Sequence, residues 1–164
     1  MAVSQGRKGK IQVRQCGSTT KTWKTVAEMG NWAITGQSRD MIEHTKFQDS
    51  VKTFIPGMLD PGGFTFSGFY DNTDTTGQKK LISIFSSGVA IGVKSTAVNI
   101  LTNLRLWANT STAFGPKGFW SCTGSTVAQM YITGVDVGQD KSGLGTISFT
   151  AKVSGGSLGF STSS

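Results

Sequence analysis

The chain has 164 residues and a net charge of +7 at neutral pH, from 16 Lys and Arg against nine Asp and Glu. Its length suits one domain with a core of its own, and 37% hydrophobic residues with ten Phe and four Trp exclude a disordered chain. Charged residues make up only 15% while Gly reaches 22 residues, which suits strands joined by tight turns under a polar, weakly charged surface.

Residues 1–20 read as a basic N-terminal arm. Arg7, Lys8, Lys10 and Arg14, with Lys21 and Lys24 just beyond, place six bases and no acid in residues 1–24, so the rest is almost neutral. Such an arm binds nucleic acid or another acidic surface, or serves as a solubilising tail. The start MAVSQGRKGK has no apolar run behind its charges, so no secretory leader is expected. No stretch approaches the roughly 18 apolar residues of a membrane span, so no membrane association is expected. Cys16 and Cys122 stand alone, outside any CxxC pair, and two free thiols in a reducing cytoplasm are the expectation.

The folded domain is expected over residues 21–155. Thr22–Met29 and Asn31–Gly36 are strand candidates around a turn at Gly30, and Arg39–Thr45 is a further extended segment. Lys46–Gly63 reads as a long irregular loop, because Pro56, Pro61 and three glycines each resist a regular element. A connection of that length usually carries function. Phe64–Tyr70 alternates, with Phe64, Phe66, Gly68 and Tyr70 on one face. A helix follows over 75–87: Thr75 and Gln78 fit a capping box, Leu81, Ile82 and Phe85 form the apolar stripe, and Gly88 ends it.

Strands return in the second half. Ala90–Val98 is a weak candidate. In Ile100–Trp107, Ile100, Thr102, Leu104 and Leu106 share a face. Thr126–Gly138 is a long strand, and Gly138–Gly145 reads as a hairpin loop. Thr146–Val153 has the clearest period of two, with Ile147, Phe149, Ala151 and Val153 inward. Residues 156–164 form a polar C-terminal tail. Many strands, one helix and no βαβ alternation give a mostly β sandwich or barrel with one flanking α-helix.

Reactive chemistry is nearly absent. His44 is the only histidine, with no second ligand at metal spacing and no marked catalytic partner, so a structural polar role is the expectation. No nucleophile elbow, Walker loop or dinucleotide fingerprint occurs. No catalytic, cofactor-binding or metal-binding residue is assigned, and no cofactor is expected. The tryptophans suit core or interface burial better than base stacking. A chain of strands with a long Pro/Gly loop and no reactive cluster fits a non-enzymatic subunit whose surface is its function.

The stretch MIEHTKFQDSVKTFIPGMLDPGGFTFSGFYDNTDTTGQKKL (41–81) adds a resemblance. Ile42–Thr45, the Asp49–Ser50 pair, Phe54-Ile55-Pro56-Gly57, an acidic turn at Asp60, the Phe/Gly strand and the helix opened by Gly77-Gln78 occur in the order seen in the major tail tube proteins of long, non-contractile-tailed bacteriophages. The closing VAQMYITGVDVGQDKSGLGTISFTAKVSGG is similar to that family's final strands. The resemblance implies a β-sandwich tail tube fold that assembles with copies of itself into hexameric stacked rings. It implies a virion tail protein made in the host bacterial cytoplasm. Its partners would be the tape measure, tail terminator and distal tail proteins, with double-stranded DNA in transit and not specifically bound. Lys46, Phe47, Asp49, Ser50, Phe54, Ile55, Pro56 and Gly57 would then contact a neighbouring subunit or ring, and the arm residues Arg7, Lys8, Lys10 and Arg14 an adjacent ring, outside the lumen. Alternatives are a nucleic-acid-binding module built on the basic arm, a contractile-system tube subunit and a capsid decoration protein.

Overall fold

The computed structural model describes residues 9–14, 22–91, 103–108, 112–116, 128–139, 141, 143–156 and 158–162. Among them the strands are β1 (Lys10–Arg14), β2 (Trp23–Thr25), β3 (Met29–Thr35), β4 (Ser38–Glu43), β5 (Phe54–Asp60) and β6 (Gly63–Phe69). The helix α1 (Gln78–Ser87) comes next, then β7 (Asn103–Trp107), β8 (Thr112–Pro116), β9 (Gln129–Gln139), β10 (Gly145–Ser154) and β11 (Leu158–Thr162). They form three antiparallel sheets: five strands in the order β11-β8-β7-β1-β2, four in the order β3-β6-β10-β9, and the pair β4-β5. The fold is mostly β with one helix, as the residue pattern implies.

The two larger sheets share one core. Ile11, Val13, Leu104 and Leu106 enter it from the five-stranded sheet; Phe64, Phe66, Ile147, Phe149, Ala151 and Val153 enter from the four-stranded one. The period of two in β10 decides this: all four of its alternate apolar residues are buried, while Thr146, Thr150 and Lys152 are exposed. Phe149 pairs with Phe66 across the ladder and their rings stack at 5.1 Å between centroids. Full burial of such a side chain contributes roughly 1.5–3 kcal/mol. The sheets are also tied by the Trp32 indole N–H, which donates to the Trp107 carbonyl at 3.0 Å.

Helix α1 buries Leu81 and Ile84 against this core, while Phe85, expected in the stripe, is 41% exposed. Asp74 replaces the expected capping box. Its Oδ1 accepts from the Gly77 N–H at 2.7 Å; its Oδ2 accepts from Gln78 at 3.0 Å and from Ala27 at 2.9 Å. A carboxylate with two oxygens satisfies more orphan donors than a single hydroxyl can. Buried Gln78 donates to the carbonyls of Ala27 and Phe69 and accepts from the Asp71 N–H. These bonds hold both backbone groups of Ala27, and the turn between β2 and β3 falls at Ala27–Glu28, not at Gly30. Gly30 lies inside β3 at a register shift. Gly88 ends the helix in the left-handed conformation, as expected.

Other elements differ from the sequence reading. Lys10–Arg14, placed in an arm, is β1, paired on both edges, because Ile11 and Val13 alternate into the core. The expected loop at 46–63 contains β5. Pro56 is tolerated there because β5 pairs on one side only and needs no second row of donors. The polar C-terminal stretch contains β11, paired with β8. Of the weak candidate at 90–98, Ile91 bridges to Met130, and 92–98 lie outside the described residues. So do Ile100, Thr102, residues 126–127, Cys16 and Cys122.

Candidate assembly surface

Strands β4 and β5 form a ribbon that continues the β3–β6 pair past Gly36 and Gly62. The register runs Thr35↔Gly63, then Ser38↔Asp60 to Glu43↔Phe54, with an irregularity between Arg39 and Met41. Gly36 and Gly62 have φ of 71° and 75°, a left-handed conformation that glycine adopts without penalty. A Cβ on Gly62 would stand 2.3 Å from the Thr35 carbonyl oxygen, so only glycine fits this joint.

The joint is anchored to the sandwich. The Asp60 carboxylate accepts from the Gly62 N–H at 2.9 Å and pairs with Lys152 on β10 at 3.6 Å. The Gly62 carbonyl accepts from the Val153 N–H at 3.0 Å. The Gly62 hydrogen bond, aided by Lys152, holds the Asp60 carboxyl below its ordinary range.

Several polar groups near the ribbon's tip pair with each other. At the tip the Lys46 N–H donates to Asp49 Oδ2, and the Asp49 N–H to the Lys46 carbonyl, both at 2.9 Å. Glu43 accepts from Thr45 and Lys52, each at 3.0 Å. Thr53 Oγ1 donates to the His44 carbonyl and the His44 N–H to the Thr53 carbonyl, so the histidine backbone closes the tip. Among the described residues, no group of three or more His, Cys, Asp and Glu is placed to hold a metal ion.

The apolar residues, by contrast, face solvent. Phe47 is fully exposed; Met41, Ile42, Val51, Phe54, Ile55, Met58 and Leu59 are all exposed. Exposed apolar side chains concentrated on one ribbon make it the candidate for an interaction site. The structure brings all eight loop residues singled out from sequence, Lys46, Phe47, Asp49, Ser50, Phe54, Ile55, Pro56 and Gly57, onto this ribbon and its tip. Met41, Ile42, Met58 and Leu59 belong to the same surface but were missed. Consecutive apolar pairs on facing strands, Met41-Ile42 against Ile55-Pro56, were the available signal.

Of the basic arm residues, Arg7 and Lys8 lie outside the described residues. Exposed Lys10 and buried Arg14 lie on the side of the five-stranded sheet away from the shared core, in a stack of cations and indoles. Arg105 lies between Trp23, 4.1 Å from its guanidinium, and Trp107, at 4.7 Å. Arg14 covers Trp23 at 4.5 Å and Lys10 covers Trp107 at 5.2 Å. Gln12 Oε1 accepts from both Arg105 Nε and Trp107 Nε1 at 2.8 Å. Burial, with the neighbouring Arg14 charge, lowers Arg105 to about 10, which leaves it charged at neutral pH.

The outer face of the four-stranded sheet has another character. Asn31, Thr65, Ser67, Thr146, Ser148 and Thr150 dominate it, and they line two shallow open troughs of about 300 and 520 Å³. Its charges are few: Asp136, which accepts from Ser148 at 3.5 Å, and Lys152, held by Asp60.

The fold of this chain is similar to that of chains solved in phage-like tails and injection systems. A chain in the tail of an empty gene transfer agent particle, solved by helical refinement with C6 symmetry, matches with a TM-score of 0.65 at 14% identity, over 97% of this chain and 99% of that one. A chain of the native gene transfer agent virion matches at 0.63 and 13%, over 97% and 99%. A chain in the extended sheath–tube complex of the extracellular contractile injection system PVC matches at 0.53 and 9%, over 94% and 88%. No protein-family model matches the chain, and no curated protein does.

Proposed function

We propose that this chain is a structural tail tube subunit of the non-contractile type. It assembles into hexameric rings that stack into the tube through which double-stranded DNA passes. The exposed apolar ribbon on a tail-type fold is the observation that carries the reading. Burying its side chains against other copies removes surface that water solvates poorly. The end strand β3 of the four-stranded sheet, and β9 beyond the bridge from Ile91 to Met130, supply edges for pairing with neighbours, and closure around a ring removes both edges. A head-to-tail contact closes into a ring when its rotation permits, and stacking then gives every copy neighbours around the ring and along the axis.

In this reading the hydroxyl-rich face of the four-stranded sheet lines the lumen. DNA slides past a near-neutral wall because few phosphate contacts form. Lys10 and Arg14, with Arg105, lie on the opposite sheet, and Arg7 and Lys8 precede it. The tape measure, terminator and distal tail proteins are the further partners. The subunit performs no catalysis and holds no cofactor.

Negative-stain microscopy of concentrated protein tests the reading: rings or tubes of uniform width are expected, and a monomer at every concentration removes it. A nucleic-acid-binding module would instead bind DNA tightly at low salt and lose it steeply as salt rises. The likeness to a sheath–tube complex keeps one second reading, a contractile-system tube subunit, which would bind a sheath protein along the outside of the assembled tube.

A further inference from the structure

The ribbon exposes apolar side chains on both of its faces, not on one. In a two-stranded ribbon alternate side chains point to opposite sides, and residues paired across the ladder share a side. Met41 pairs with Pro56, Glu43 with Phe54 and Arg39 with Leu59, which places these six on one face. Ile42 pairs with Ile55 on the other, and there a Cβ on Gly57 would meet Ile42 and Asp40. On the first face Met41 is 59%, Phe54 49% and Leu59 43% exposed; on the second Ile42 is 54% and Ile55 49% exposed.

An antiparallel sheet with one face on a core normally turns a polar face to water. This ribbon instead exposes apolar side chains on both faces, beside Arg39 and Glu43 on the first and Ser38, Asp40 and Asp60 on the second. Its own sandwich covers neither side, because the contacts at its base are confined to Asp60, Gly62 and β10. An isolated two-stranded ribbon is also marginally stable in water. One neighbour covers one face and leaves the other wet.

Resting on the tube reading, we infer that the ribbon is clamped on both faces at once by two different copies of this chain. The Met41–Phe54–Leu59 face packs on one copy and the Ile42–Ile55 face on another. Copies of this chain are the occupants because a stacked ring gives each subunit two kinds of neighbour, matching the two faces in number. Glu43 and Asp49 are already matched within the ribbon, so the exposed apolar side chains of each face carry most of the contact with its neighbour.

The test places the photo-crosslinking residue p-benzoylphenylalanine at Phe54 or at Ile55 in the full chain. Crosslinked peptides are mapped by mass spectrometry in assemblies mixed from light and heavy isotope protein, so that links between copies are separated from links within one. Each position is expected to reach a different segment of another copy. In parallel, Met41→Ser with Phe54→Ser, and Ile42→Ser with Ile55→Ser, are each expected to raise the critical concentration for assembly about ten-fold or more. The circular dichroism of the monomer should stay unchanged. Links from both positions to one common segment, or either double variant assembling like the parent, overturn the two-sided clamp and leave the tube reading standing. A parent chain that never leaves the monomer removes both.

Discussion

The joint at Gly36 and Gly62 offers a graded test of how the ribbon is aimed. Gly36→Ala and Gly62→Ala place the same methyl group in the same left-handed conformation, with φ of 71° and 75°. At Gly36 the new Cβ meets nothing nearer than the Gly62 Cα at 3.9 Å. That substitution costs the left-handed penalty of about 1–2 kcal/mol, partly offset by about 0.4–1 kcal/mol from a stiffer unfolded chain. At Gly62 the Cβ would stand 2.3 Å from the Thr35 oxygen, 2.8 Å from the Gln37 nitrogen and 2.9 Å from the Gly36 carbonyl carbon. All three are backbone atoms, so the strands themselves must part, by roughly 1 Å. Across a strand spacing of about 4.8 Å such a wedge turns the ribbon by roughly 12°. Seven residues of β5 at about 3.3 Å each carry that turn outward, and the far end moves roughly 5 Å. A movement of that size exceeds the reach of a side-chain contact. Sedimentation velocity and microscopy are the assays, with circular dichroism as the check on folding. Gly36→Ala should assemble nearly as the parent does; Gly62→Ala should fold and fail to assemble. Equal assembly by the two variants would refute a fixed joint.

Three further outcomes are expected. Phe149→Ala removes a fully buried ring stacked on Phe66 and should destabilise the monomer by about 3–5 kcal/mol; a melting point lowered by less than a few degrees in calorimetry would contradict its place in the core. Deletion of residues 46–57 should leave a folded monomer that does not polymerise, since the ribbon lies outside the shared core, and loss of the β-sheet circular dichroism signal would contradict this. Asp60 has a depressed pKa from the Gly62 N–H and Lys152, so its contribution is present above the unfolded carboxylate's pKa of about 4 and is lost as pH falls through the lower folded value. Amide protection in β4 and β5, measured relative to the intrinsic exchange rate at each pH, should therefore fall on strong acidification in the parent but not in Asp60→Asn, and an identical pH response in both would remove Asp60 from the joint.

Wherever burial sets a period, the sequence was legible. Thr146–Val153 announced β10 and its inward face, and Phe64–Phe66 announced β6, because one side of each strand meets a core that admits only apolar groups. Strands held by their neighbours were not legible. Lys10–Arg14 looks like a basic tail by composition, yet Ile11 and Val13 enter the core and it lies between β2 and β7. Leu158–Thr162 offers only Leu158 and Phe160 at alternate positions inside a Gly/Ser-rich stretch, and pairing with β8 makes it a strand. The helix was found, but its cap was misplaced: Asp74 also serves Ala27, 47 residues away in the chain, and no local pattern reports such a contact. At the candidate surface, the prolines and glycines of 46–63 correctly flagged an unusual segment but disguised a strand. The stack of Lys10, Trp107, Arg105, Trp23 and Arg14 joins three strands far apart in sequence, and only the fold aligns it.

The opposed characters of the two outer faces make one last prediction. Were that face of the five-stranded sheet turned to the bore, each copy would present Lys10 and the half-buried Arg105 to the DNA, while Arg14 is buried beside them. Every phosphate contact so made would add a slope of about 0.9 to the logarithmic salt dependence of retention. A wall of Ser, Thr and Asn makes neutral hydrogen bonds that water replaces at little cost, and Asp136 adds mild repulsion. Ser148, at the centre of that wall, pairs with Asp136 on β9 and Ser67 on β6, so a thiol placed there reports on the bore and not on an edge. Ser148→Cys filaments, compared with parent filaments to account for Cys16 and Cys122, should react with a small maleimide. They should refuse a bulky polymer maleimide, while the dissociated monomer accepts both. Equal labelling of intact filaments by the two reagents would place this face on the outside and turn the cationic sheet toward the DNA.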